Sequence, residues 1–542
     1  MHRPLMAFVS LALGLAPGGV VVAQTAAARD SALHALNRLA YGPRPGEVDA
    51  IAASGVVRWI DAQLDPERIA DNELERLVAA STLSHYGGAD LARQFAADRE
   101  RRAQLRQQGL DEDAMRREMA QRDASEANAP RRVVAELQRL HVLRAVRSER
   151  QLYEIMVDFW INHFNVFAGK GLDRFLIVSH VEDVIRPLAL GKFEDLLAAT
   201  ARSPAMLFYL DNAQSVSPGA RPPELERAMA RGGRRGPLSA EQRERLEQRL
   251  PRGLNENYAR ELLELHTLGV DGGYSQRDVQ EVARILTGWS IARPQQGAGF
   301  QFNEWAHDRG EKTVLGTVFP AGRGEDEGVE LLRILAAHPA TRRHLSHKLC
   351  ERLVADEAPD GCVDAAVYAW QRSDGDIREV VRAIVHTPDF WTPVFRRGKT
   401  KTPLEFVASA VRAVGAQPDT TPRVAQVVAR LGQPLFLQSA PTGYAETHDE
   451  WVNSGALLNR MNVAVGLAAG RLPGLTFDPD ALFPSGEASA VLDRIDALVF
   501  GGALSQRTRQ VILAEVADIT DPRSARAMSL GLALGGPDFQ RQ

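Results

Sequence analysis

The 542-residue chain carries 65 lysines and arginines against 69 aspartates and glutamates, a formal net charge of −4 at pH 7. That near balance excludes the concentrated positive field on which nucleic-acid binding depends. With 44% apolar residues the composition is globular, and the length accommodates roughly two to four domain-sized units.

The chain opens with His2 and Arg3, followed by an apolar run from Leu5 to Val22 and then Ala23. Charge, apolar run and small residue in that order predict a secretory signal peptide over residues 1–23. Gly14, Pro17, Gly18 and Gly19 break the run, so a membrane anchor fits it less well. No later stretch is long and apolar enough to span a membrane, and the expected location is periplasmic or secreted.

Helical periodicity dominates residues 24–542 and predicts an all-α fold, a large multi-helix body with a small β-hairpin as decoration. Gly46–Leu64 places Val48, Ile51, Val56, Trp59, Ile60 and Leu64 at helical spacing. Residues 98–122 mix Arg and Glu at helix-compatible offsets, the pattern of one solvated helix or two. After Pro130, Arg132–Arg147 resumes an amphipathic pattern through Val133, Leu137, Leu140 and Leu143.

From Leu152 to Phe167 the chain is apolar almost all round, which predicts a buried helix. Its one polar stripe is Glu154, Asp158, Asn162 and Asn165, within an arc of about 80°. Unpaired buried polar groups are costly, so the stripe must meet water, a cleft or buried partners. His163 falls on the apolar side, as a core histidine or as an acid–base or metal-binding group.

Residues 214–253 accumulate Pro, Gly and Arg, including Gly232-Gly233-Arg234-Arg235-Gly236-Pro237, and predict a flexible insertion or a lid. The next helix, Asn255–Leu268, buries Tyr258, Ala259, Leu262 and Leu263. It aligns Asn257, Glu261 and Glu264 within about 60°. Two carboxylates three residues apart repel, raise one pKa and supply a general acid or base, or they hold a divalent cation. Ion pairing with Arg260 on a solvated face is the structural alternative. Ser275, with Asp278 three residues on, marks a helix start that also carries Glu281.

Phe300–Phe302 and Thr313–Leu315 are strand-like and flank a polar turn, which predicts one small hairpin. The loop between them contains His307, Asp308 and Lys312, side chains capable of proton transfer or binding. A sub-boundary is expected near 396–402. Cys350 and Cys362 enclose a short loop with Pro359 and Gly361. In an oxidising compartment they form a structural disulfide, the alternative being two separate buried thiols. HExxH, GxSxG, P-loop and dinucleotide fingerprints are absent, which disfavours zincins, elbow-type serine hydrolases and nucleotide enzymes.

Several long stretches resemble the domain-of-unknown-function 1800 family of bacterial proteins. They are Phe159–Gly171 (FWINHFNVFAGKG), Pro204–Asn212 (PAMLFYLDN), Gly253–Val270 (GLNENYARELLELHTLGV) and Gly272–Trp289 (GGYSQRDVQEVARILTGW). His307–Gly316, Gly443–Asn462 (which contains EWVNSGALLNRMN) and the ending Gly535–Gln540 (GGPDFQ) extend the likeness along nearly the whole chain. The resemblance implies an exported helical protein, with a co-exported protein like a phosphatase or sulfatase as partner. It implies no particular activity. Asn162, His163, Asn165, Asn257, Glu261, Glu264, Asp278, Glu281, His307, Asp308 and Lys312 all fall within these stretches, which makes one shared cleft the expectation. The chain departs from the family pattern at Ala213, at Ser439-Ala440 and in its cysteine pair.

Two functions follow as expectations. One is a hydrolase of glycans or esters, with Glu261, Glu264, His163 and Asp308 as catalytic candidates and the other polar motif residues binding. A divalent metal is compatible with it. The other is a non-enzymatic binding or assembly partner of the co-exported protein.

Overall fold

A computed structural model describes residues 17–85, 88–125, 130–223, 226–227, 253–293, 296–484 and 486–542. Most of the expected leader lies outside these residues. A helix over Pro17–Leu39 covers the expected junction at Ala23. The expected insertion is also largely outside them, at 224–225 and 228–252.

Helices dominate, as the periodicity predicts, and glycine sets several of their ends. The 46–64 stretch forms two helices, Glu47–Ser54 and Val56–Gln63. Gly55 separates them at φ 99°, a conformation that ends a helix and suits glycine. The charged stretch is also a pair, Gly88–Gln107 and Glu112–Ser125, with Gly109 at φ 76° between them. Among the described residues no helix is long and apolar enough to cross a membrane.

The strands form three two-stranded antiparallel ribbons among the described residues. Here the expectation of one hairpin joining Phe300–Phe302 to Thr313–Leu315 is corrected. Phe300–Phe302 pairs back onto Trp289–Ile291, and Lys312–Val314 pairs forward onto Thr317–Phe319. The second pairing turns on Leu315-Gly316, both at positive φ (49° and 79°), the two-residue geometry that matches strand twist. A local turn closes with less entropy loss than the longer loop the expectation required.

The central helix is Gln151–His163, with Leu152, Met156, Phe159 and Trp160 enclosed. Trp160 packs against Phe164 and Phe193 and donates its indole N–H to Ala189 O at 3.0 Å. Helices Pro130–Arg147, Pro339–Leu353 and Pro403–Ala413 bring polar side chains to its polar side; the last is buried along its whole length. Segment 399–401 pairs with the final residues 540–542, Lys401 N–H donating to Gln540 O at 2.9 Å. Cys350 and Cys362 form a disulfide between helices Pro339–Leu353 and Asp360–Ser373, with Cα atoms 6.1 Å apart.

Candidate functional site

The polar stripe of the central helix meets partners at every position. Glu154 takes Arg186 in a two-pronged pair at 2.7 and 2.9 Å. Burial alone would push the Glu154 carboxyl up; the Arg186 guanidinium outweighs it and holds the group below its ordinary range. One turn on, Asp158 lies 3.0 Å from His141 Nε2 and 3.4 Å from Arg352. Burial again opposes, and His141 and Arg352 prevail, keeping Asp158 ionised.

Arg352 is the hub. Its guanidinium also reaches Glu405 at 3.0 Å and Glu446 at 3.1 Å, so three carboxylates on three elements converge on one buried cation. Glu405 has a second role. Its other oxygen accepts the Thr402 N–H at 2.8 Å, closing the capping box that starts helix Pro403–Ala413. Asn162 completes the wall: Tyr444 N–H donates to its Oδ1 at 2.7 Å, and its amide donates to Tyr444 O and Glu446. Asn165 lies beyond the helix end and donates to Gln438 O and Ala440 O. The cleft these groups line has about 30 Å³ of room, enough for water and too little for a substrate.

Glu261 and Glu264 lie elsewhere. Helix Glu256–Leu263 carries Glu261, and Glu264 begins the π-helical turn that follows. Thr267 Oγ1 donates to Leu262 O five residues back, at 2.6 Å, which supports that wider turn. Both glutamates are half-buried. Burial, and then the Glu264 charge, push the Glu261 carboxyl up, with Arg260 opposing. Glu264 accepts the Tyr274 hydroxyl at 3.0 Å. Arg260 is drawn toward Glu256, at 3.7 Å, and Gln276.

Tyr209 connects the two regions. Its hydroxyl donates to Ser439 O at 2.8 Å. Burial, then the charge of Glu261, push this phenol up to about 12, and a hydrogen bond with Asn165 opposes them. The stripe and the charge of Glu261 therefore act on one tyrosine, although neither Glu261 nor Glu264 lines the cleft beside the stripe. Asn257 sits near the same loop, its amide 3.5 Å from Leu210 O.

The remaining candidates form a closed network around helix Gln276–Ile285 and the second ribbon. Asp278 closes the capping box with Ser275, and its other oxygen accepts the Leu315 N–H at 2.7 Å. Arg284 holds Glu281 at 2.6 Å and Asp308 at 2.9 Å. Lys312 pairs with Glu327 at 2.7 Å and donates to Asp308 O. His307 lies 2.9 Å from Thr287 O and 3.5 Å from Glu327. His163 is enclosed by Phe159, Trp160 and Phe164. Its Nε2 lies 3.3 Å from His266 O, and burial holds the ring neutral. Ala213, one of the departures, accepts the Ser290 hydroxyl through its carbonyl.

Sequence reasoning missed Arg352, His141, Glu405, Glu446 and Tyr209. Tyr209 and Glu446 carried a signal, inside the stretches Pro204–Asn212 and Gly443–Asn462. Among the described residues, no three His, Cys, Asp or Glu side chains are grouped to hold a metal ion.

The described residues form a mostly helical body with an ionic hub beside its central helix and a half-buried glutamate pair. The chain belongs to the family described as protein of unknown function (DUF1800), whose profile matches residues 34–541. No curated protein and no solved structure matches it.

Proposed function

We propose that the chain is an extracytoplasmic hydrolase of glycosidic or ester bonds in which Glu261 is the general acid. The observation that carries this reading is the Glu261 carboxyl itself. It is half-buried, raised by burial and by Glu264, and its charge acts on the Tyr209 phenol. A carboxyl raised in this way keeps a proton to give at a pH where ordinary glutamates have lost theirs. Its proton would pass to the departing oxygen. Water would add its hydroxyl to the other fragment and return a proton to Glu261. In this reading Glu264 supplies the charge that raises Glu261 and Asn257 binds the substrate, while Asn165, whose amide is taken up by Gln438 O and Ala440 O, joins His163 and Asp308 in supporting the surrounding fold. The disulfide accords with an oxidising compartment.

The test is release of reducing ends or acid from a panel of polysaccharides and esters by the mature chain. Glu261→Gln should lower a detected activity at least a hundredfold, the lower range for one general acid. Full activity in that variant would remove Glu261 from the reaction.

A second reading, a non-enzymatic assembly partner of a co-exported phosphatase- or sulfatase-like protein, is favoured by a different observation. Arg284, Glu281, Asp308, Lys312 and Glu327 are all taken up in internal pairs. A stable complex with that protein, of equal affinity in Glu261→Gln, would support it.

A further inference from the structure

A cavity of about 230 Å³ lies well apart in sequence from the glutamate pair, where four segments meet. Arg44 and Pro45 come from the loop before helix Glu47–Ser54, and Val146, Arg147 and Glu149 from the end of helix Pro130–Arg147. Glu73 belongs to helix Asn72–Ala79, and Arg412 and Gln417 lie in and after helix Pro403–Ala413. Three guanidiniums therefore converge on one space.

Arg412 anchors it, with its side chain 1% exposed. It donates to Gly42 O at 2.7 Å, to Val146 O at 3.0 Å and to Glu47 at 3.2 Å. These bonds fix the guanidinium plane. Arg44 is held by Arg147 O at 2.7 Å and by Glu149 at 2.5 Å. Arg147 pairs with Glu73. The Nε of Arg44, and the Nε and Nη1 of Arg147, have no hydrogen-bond partner among the described residues.

The acids differ sharply in exposure. Glu47 is tied to Arg412 and to the Arg44 backbone N–H. Glu73 and Glu149 are 67% and 51% exposed, and exposed pairs of this kind contribute little, so each can swing into water at small cost. With both turned out, three guanidiniums face the single carboxylate of Glu47. Two positive charges remain, matched in number by a dianion.

We propose that this cavity is a binding site for a dianionic phosphate group, free or as a monoester, with Arg44, Arg147 and Arg412 as its recognition residues. Guanidinium forks suit phosphate oxygens, which accept two parallel N–H bonds, and three of them favour a dianion over a singly charged carboxylate. The volume admits the phosphate and part of whatever carries it. Glu73 and Glu149 occupy the arginines until the anion replaces them.

The test is titration of the full mature chain with inorganic phosphate, glycerol phosphate and acetate at constant ionic strength, read by calorimetry and by the unfolding midpoint. Saturable phosphate binding should weaken about tenfold or more in Arg147→Gln, less in Arg147→Lys, and strengthen in Glu73→Gln, which removes the competing carboxylate. Should Arg147→Gln fail to fold, Arg147→Lys and Glu73→Gln carry the same comparison. Tighter binding of glycerol phosphate assigns the site to a monoester, and tighter binding of inorganic phosphate to the free ion; either supports the proposal. Absence of saturable phosphate binding, binding unchanged by the Arg147 and Glu73 variants, or acetate bound as tightly as phosphate would each overturn it.

Discussion

Lys312 Nζ lies 2.7 Å from Glu327 Oε2, and both side chains are wholly enclosed. The pair joins the second ribbon to the start of helix Glu325–Ala337, beneath the loop that carries His307 and Asp308. Removing one partner leaves a buried charge without compensation, which typically costs 3–5 kcal/mol. We therefore predict that Lys312→Met and Glu327→Gln each lower stability to denaturant by about that amount. Lys312→Met combined with Glu327→Leu should recover most of it. A double variant as unstable as the sum of the singles would show that the two side chains act independently.

Histidines that burial draws down make stability depend on pH, His163, held well below its ordinary value, among them. Burial pulls His34 and His266 down to about 3, and His180 and His344 down to about 4. Below pH 6.5 the unfolded chain takes up protons that the folded chain refuses, so stability falls as pH falls and levels off near the folded values. His180 alone withdraws about 3 kcal/mol between pH 6.5 and 4. Urea unfolding at pH 7, 6 and 5 should show this slope, and His344→Gln should reduce it by nearly one proton. A flat profile would mean that these rings titrate normally in the folded chain.

The disulfide closes a loop with a sequence separation of 12, between two cysteines that are fully enclosed. Constraining such a loop in the unfolded chain contributes about 3 kcal/mol. Cys350→Ala with Cys362→Ala should lower the unfolding free energy by at least that amount, because two small cavities are added. Reduction of the wild-type chain should give a similar loss, and unfolding unaffected by reductant would contradict it.

The sequence exposes helices and their caps better than their partners. Ser275 and Asp278 form the capping box that their spacing predicts, because that chemistry is local. The stripe of Glu154, Asp158, Asn162 and Asn165 is legible from helical geometry, and so is its need for partners. The partners themselves are not. Arg352 lies 194 residues from Asp158, and only packing brings it to 4% side-chain exposure. The break at Gly55 and the pairing of the second ribbon were missed because one or two positive-φ residues decide them. The repulsion between Glu261 and Glu264 was legible because the two lie three residues apart; the effect of the Glu261 charge on the Tyr209 phenol was not.

Glu261, as the raised carboxyl, carries the proposed hydrolysis. Its most direct test is a carbon-13 NMR titration of carboxyl-labelled glutamate in the mature chain, with the Glu261 resonance identified by its loss in Glu261→Gln. The account predicts a Glu261 pKa above the ordinary glutamate range, falling back when Glu264→Gln removes the neighbouring charge. A Glu261 that titrates like an exposed glutamate, and is indifferent to Glu264→Gln, would contradict it.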